Sequence, residues 1–135
     1  MQARARLFLM LLCVSSMLTA GAHSQAASPS EDLQTMLWEQ MSNCWASVSD
    51  LPEPSRLRVM VYAEFARNGT LKQEPTVVHP TEIADGDEAM QEAVRRAVRA
   101  VKKCAPYDFP AEHYAIWQNI TFNFQYKPKE ALSVS

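Results

Sequence analysis

"RLRVMVYAEFARNGT", residues 56 to 70, decides how this chain folds. Leu57, Val59, Val61, Ala63 and Phe65 alternate with Arg58, Met60, Tyr62 and Glu64, the period of two that marks a half-buried strand. Asn68-Gly69 follows at once, and this dipeptide is a strong hairpin signal because both residues tolerate positive φ. The chain must therefore come back, and "TLKQEPTVVHP" (Thr70 to Pro80) reads as the return strand. Pro75 has no N–H to give to a ladder, so that strand belongs at a sheet edge or carries a bulge.

Helical patterns flank this hairpin. "SPSE" (Ser28 to Glu31) is a helix start: Ser28 caps, Pro29 suits the first turn and Glu31 completes a capping box. Leu33, Met36, Leu37, Met41 and Cys44 then share one helical face, read as packing against the sheet. "VSDLPEPS" (Val48 to Ser55) breaks that helix with two prolines. The second helix lies within Thr81 to Cys104, with acidic residues at its start and basic ones at its end, as the helix dipole favours. Met90, Ala93, Val94, Ala97, Val98, Val101 and Cys104 form its apolar stripe. Arg95, Arg96, Arg99, Lys102 and Lys103 lie off that stripe and read as a solvated face. "APYDFPAEHY" (Ala105 to Tyr114) reads as a turn-rich connector, and Trp117 to Tyr126 as a third strand. In that strand Ile120, Phe122, Phe124 and Tyr126 alternate with Asn119, Thr121, Asn123 and Gln125.

The order helix-strand-strand-helix-strand predicts an α+β domain, with two main helices packed on one face of a three-stranded antiparallel sheet. The crossover through the second helix sets the third strand parallel to the second, with the first strand between them. The third strand then has a free edge, and Pro75 blunts the opposite one.

The first 22 residues read as a secretory signal: Arg4 and Arg6, the apolar run Leu7 to Leu18, then small residues Ala20 to Ala22. An uncleaved inner-membrane anchor is the competing reading, although the run is short of the ~20 residues a spanning helix needs. Residues 23–27 would be a short N-terminal segment, 28–126 the domain and 127–135 a tail. Cleavage removes two of the 13 basic residues and none of the 15 acidic ones, leaving a net charge of −4. A mildly acidic module without a basic stripe is a poor nucleic-acid binder. Cleavage also removes Cys13, so the mature chain keeps Cys44 and Cys104 alone. In an exported chain two cysteines read first as a disulfide. Neither has the close second ligand that a redox or zinc site needs.

Chemistry is thinly represented. His23, His79 and His113 are dispersed, and His113 with Asp108 and Glu112 is the only grouping that resembles a base or a metal site. There is no phosphate loop, no metal-ligand spacing and no nucleophile-and-base motif. The expectation is therefore a binding protein and not an enzyme, with no cofactor, metal or small-molecule substrate. A small periplasmic hydrolase is the weaker alternative.

Cys44-Trp45 after an amphipathic helix, "LRVMVYAEFARNGTL" (Leu57 to Leu71) and "AVRRAVRAVKKCAPYDFPAEHYAIWQNITFNF" (Ala93 to Phe124) together resemble the TolA/TonB C-terminal domain family, in its TolA-like, disulfide-containing form. The resemblance covers about Asp32 to Tyr126. It implies a periplasmic protein-interaction module of a Gram-negative cell envelope, taking envelope or outer-membrane proteins as partners by adding a strand to its sheet edge. Carried over by position, that edge is Gln118, Asn119, Ile120, Thr121, Phe122, Asn123, Phe124 and Gln125, and Cys44 and Cys104 match the family's disulfide. The module would be a monomer or a weak edge-to-edge dimer. Three departures stand out: the proline after Cys-Trp is delayed to Pro52, the hairpin is Asn-Gly in place of Asp-Gly, and the family's long periplasm-spanning linker is missing. Energy transduction is therefore not carried over, except as a short membrane-anchored transport or envelope-integrity component.

Overall fold

Strand β1 (Val59–Glu64) keeps the alternation read from its sequence. Val59, Val61 and Ala63 are buried, while Met60, Tyr62 and Glu64 are half-exposed on the other face. The computed structural model describes residues 29–127, so the signal-peptide reading, the segment before Pro29 and all but the first residue of the tail lie outside the described residues. β1 is the centre of a three-stranded sheet ordered β2-β1-β3, with β2 at Thr76–His79 and β3 at Asn119–Phe124, both antiparallel to it. The predicted α+β architecture and strand order are those observed.

The hairpin forms at Asn68-Gly69, but the return strand is shorter than its sequence implied. Ala66 N–H donates to Thr70 O at 2.8 Å, and a single bridge pairs Phe65 with Leu71. The ladder then lapses until Thr76, just after Pro75. A further register shift lies between Met60 and Val61, so β2 is a short, bulged edge.

Helix α1 (Pro29–Ser42) buries Leu33 and Met41 and half-buries Leu37. Helix α2 (Glu88–Cys104) packs on β1 with Met90, Ala93, Ala97, Ala100 and Val101 buried. Alanines at three of those positions bring the helix axis close to the valines of β1. Asp87 caps α2 by accepting from Met90 N–H at 3.1 Å, and it also receives two 2.9 Å bonds from Arg56. The Arg56 guanidinium holds the Asp87 carboxyl below the usual carboxylate range.

Cys44 and Cys104 are joined, their Cα atoms 5.8 Å apart, across a sequence separation of 60. The bond ties the end of α1 to the end of α2. Gln40 reinforces it: its amide donates to Asp108 O at 3.0 Å and accepts from Asp108 N–H at 2.9 Å.

The connector after α2 is more than a turn. Tyr107 and Phe109 are buried and stack at 5.5 Å, and both meet Phe65 edge-on. Tyr107 donates its hydroxyl proton to Val101 O at 3.0 Å, and burial pushes that hydroxyl's pKa up. The chain then forms a 3₁₀ turn at Ala111–His113 and the one-turn helix α3 (Tyr114–Trp117), neither anticipated from sequence. Trp117 is buried, with its indole N–H on Pro110 O at 2.8 Å. A large aromatic ring with its one polar atom satisfied is a strong local anchor, and it sets where β3 begins.

Candidate partner-binding edge

β3 pairs with β1 from Val59↔Phe124 to Glu64↔Asn119. Phe65 N–H donates to Gln118 O at 2.8 Å, which fixes the phase of the ladder. In an antiparallel pair, opposed residues alternate between exchanging both hydrogen bonds and exchanging none. The main-chain groups of Ile120, Phe122 and Phe124 therefore turn toward β1, and those of Asn119, Thr121 and Asn123 turn outward. Among the described residues no strand pairs on that outward side.

The edge expected over Gln118 to Gln125 is thus trimmed at both ends. Gln118 is not a strand residue: it caps α3 in right-handed helical geometry, with its N–H on Tyr114 O at 2.8 Å. The reason is the Trp117 anchor, which keeps the chain helical until the ring is buried. Gln125 lies one residue past the end of β3 and is exposed.

Helix α1 runs beside this edge and forms the far wall of a groove. One cleft, about 250 Å³, lies between Gln34, Leu37, Trp38 and Met41 of α1 and Thr121, Phe122, Asn123 and Phe124 of β3. Its lining takes four consecutive strand residues, whose side chains point to both faces, so it follows the edge itself. A second cleft of about 340 Å³ continues along the strand, with Leu33 and Leu37 on one side and Ile116, Trp117 and Ile120 on the other. The two share Gln34, Leu37 and Thr121.

Trp38 is the conspicuous residue here, 56% exposed at the groove mouth. It meets Trp45 edge-on at 6.5 Å, and Trp45 in turn lies 5.4 Å from Phe124. The Trp45 indole N–H is buried without a hydrogen-bond partner among the described residues. The Met-rich face of α1 was expected only to pack against the sheet. What sequence reasoning missed is Trp38, and the available signal was its position off the Leu33, Leu37, Met41 stripe.

The linings of both clefts contain no charged side chain. α1 carries Glu31, Asp32 and Glu39 and no basic residue, and β3 carries no charge. On the helix-free face of the sheet, Arg58 donates to Asn123 Oδ1 at 3.2 Å and Tyr62 to Glu64 at 3.0 Å. The basic residues of α2 are largely engaged elsewhere: Arg95 with Glu92, Arg96 with Asp50 and Glu92, Lys102 with Glu74. Among the described residues no group of three or more His, Cys, Asp or Glu side chains is placed to hold a metal ion, so His113, Asp108 and Glu112 do not come together as a metal-holding cluster. No described helix is long and apolar enough to cross a membrane.

The profile of a family described as "Uncharacterised conserved protein UCP034077" matches residues 27–127. The chain belongs to that family. The matched span takes in α1, both cysteines, the groove and all of β3. No curated protein and no solved structure matches the chain.

Proposed function

We propose that this chain is an exported interaction module of the cell envelope, similar to TolA/TonB C-terminal domains, that captures an extended segment of a partner protein along β3. The observation that carries this reading is the outward row of N–H and C=O groups at Asn119, Thr121 and Asn123. An unpaired edge is a template for an added strand, whose main-chain bonds supply affinity. The opposite edge is a poor competitor: β2 has four residues, a register shift and prolines on both sides at Pro75 and Pro80. The disulfide supports an oxidising compartment, since such bonds persist outside the cytosol. The apolar clefts beside β3 would hold the partner's side chains.

Thr121→Pro tests the reading. The Thr121 N–H takes no part in the ladder with β1, so proline removes an outward donor without removing a sheet hydrogen bond. Val77→Pro on the other edge is the matched control, because Val77 lies opposite Val61, whose main-chain groups turn toward β3. In cross-linking from periplasm, the folded Thr121→Pro protein should lose its partner while Val77→Pro keeps it. Undiminished capture by Thr121→Pro with a native circular dichroism spectrum would refute edge recognition.

A further inference from the structure

We infer that one flank of α2 is a second interaction surface, which takes an acidic amphipathic helix of a partner protein. It stands apart from the β3 edge and does not depend on the reading above. The flank holds a depression of about 650 Å³ lined by Val94, Arg95, Val98, Arg99, Lys102 and Lys103. This is larger than either cleft beside β3, with room for more than one side chain. Every lining residue belongs to α2, so among the described residues no second element lines it. Lys102 reaches Glu74, just ahead of β2, at 3.0 Å, which puts this flank across the sheet from β3.

The partner's charge follows from the lining itself. Arg95, Arg99 and Lys103 succeed one another at i, i+4 spacing over about 12 Å of helix axis, and Lys102 stands beside them. Like charges at that spacing weaken a helix. Arg95 and Arg99 also precede the last turn of α2, where the helix dipole would favour a cation. Arg99 and Lys103 have no carboxylate partner among the described residues. Arg95 and Lys102 hold exposed pairs with Glu92 and Glu74, which contribute little and can give way to a partner's carboxylates. The one basic residue of α2 outside the lining, Arg96, is half-buried and already closed by Asp50 and Glu92.

The apolar floor sets the partner's form. Val94 and Val98 are half-buried and one turn apart, about 6 Å along the axis. On the helix they lie between the core stripe and the cations, the arrangement of a helix-helix seam with charges along its border. An extended segment would find no main-chain groups to pair with, because those of α2 bond within the helix, whereas a partner helix satisfies its own. A lipid surface fits less well, since no aromatic or long apolar side chain stands among the cations to enter it. A second copy fits poorly too. An isologous contact would set these four cations against the same four, and the acidic helix α1 already commits Leu33 and Met41 to its own core.

The experiment uses the full chain and three labelled synthetic peptides: the acidic helix EELEALLEELEALLE, its serine-for-leucine form EESEASSEESEASSE, and the basic KKLKALLKKLKALLK. Binding is read by anisotropy at low and moderate salt, beside co-sedimentation of the protein with phosphatidylglycerol vesicles. The acidic helix should bind, less tightly as salt rises. The serine form should bind at least about tenfold more weakly, and the basic peptide should not bind. Arg99→Glu with Lys103→Glu, both at exposed positions, should weaken the acidic helix at least about tenfold. Arg67→Glu with Lys127→Glu makes the same change in net charge away from the depression and should leave most of the binding. Thr121→Pro should leave all of it. Equal losses in the two charge-reversed proteins would show attraction by net charge alone and overturn the inference, as would a serine form that binds as well as the leucine one. Loss in Thr121→Pro would place the peptide at β3, overturning this surface and not the edge reading. Failure of the acidic helix to bind overturns the inference. So does vesicle binding, or a chain dimer, that Arg99→Glu with Lys103→Glu abolishes and the acidic helix does not displace.

Discussion

Gly69→Ala and Gly86→Ala form an internally controlled test of how the domain is closed. Both glycines have positive φ, 81° and 78°, so alanine pays a similar backbone penalty at each, about 1–2 kcal/mol. Their surroundings differ. A Cβ on Gly86 meets nothing within 4 Å, whereas one on Gly69 would overlap the Tyr107 carbonyl oxygen and lie 2.8 Å and 2.9 Å from that residue's C and N. None of these three contacts is tolerable, and the obstacle is backbone, which cannot rotate away. Alanine at 69 must therefore push the Tyr107 segment outward and break the 2.9 Å bond from Tyr107 N–H to Gly69 O. Leaving a buried donor unpaired adds roughly 1–3 kcal/mol, before any loss from the Phe65, Tyr107 and Phe109 ring contacts. We expect Gly86→Ala to lose about 1 kcal/mol and Gly69→Ala about 3 kcal/mol or more. Urea unfolding followed by tryptophan fluorescence reads the difference directly. With m near 2 kcal/mol/M, the two midpoints should separate by about 1 M at unchanged m. Equal midpoints would show that the hairpin and the post-α2 connector are not locked together, and that Tyr107 is free to move.

Replacing Cys44 and Cys104 together by alanine should lower stability by about 4 kcal/mol, the loop-entropy value for a separation of 60, and reductant should mimic it. An unchanged urea midpoint would refute a stabilising role for the bond. Acid should also weaken the fold through Asp50, whose pKa is drawn from 3.8 down to about 2 by hydrogen bonds from Arg96. The folded carboxyl binds its proton less readily than the unfolded one, so this contribution is complete above about pH 4 and is lost as pH falls toward 2. Asp87 and Glu92 are shifted the same way, by Arg56 and by Arg95 with Arg96. Asp50→Asn should flatten the fall in melting temperature between pH 4 and 2, and a profile as steep as the unmodified protein's would count against the ion pair.

Much of the architecture was legible because it depends on local periods. The alternation of β1, the apolar stripes of α1 and α2, and the Asn68-Gly69 turn are short-range patterns, and the strand order follows once a helix must cross between β2 and β3. Pro75 was correctly read as a flaw in the return strand, though not how much of the ladder it would cost. The stretch from Ala105 to Gln118 was not legible. Its prolines announce turns, but Tyr107 and Phe109 bury against Phe65, which is remote along the chain, and Trp117 packs on Phe109 in turn. Gln118 was misplaced for the same reason: its helical geometry follows from where Trp117 is anchored.

The groove shows the division most plainly. Residue order alone established that β3 alternates, carries no charge and comes last in the sheet, so a free edge was foreseeable. That α1 stands beside this edge, with Trp38 at the mouth and two apolar clefts beneath, was settled by three-dimensional packing. A helix has several faces, and its sequence marks the one that enters the core. Which of the others meets a neighbour depends on the Cys44–Cys104 bond and the Gln40–Asp108 pair, contacts that span 60 and 68 residues of chain.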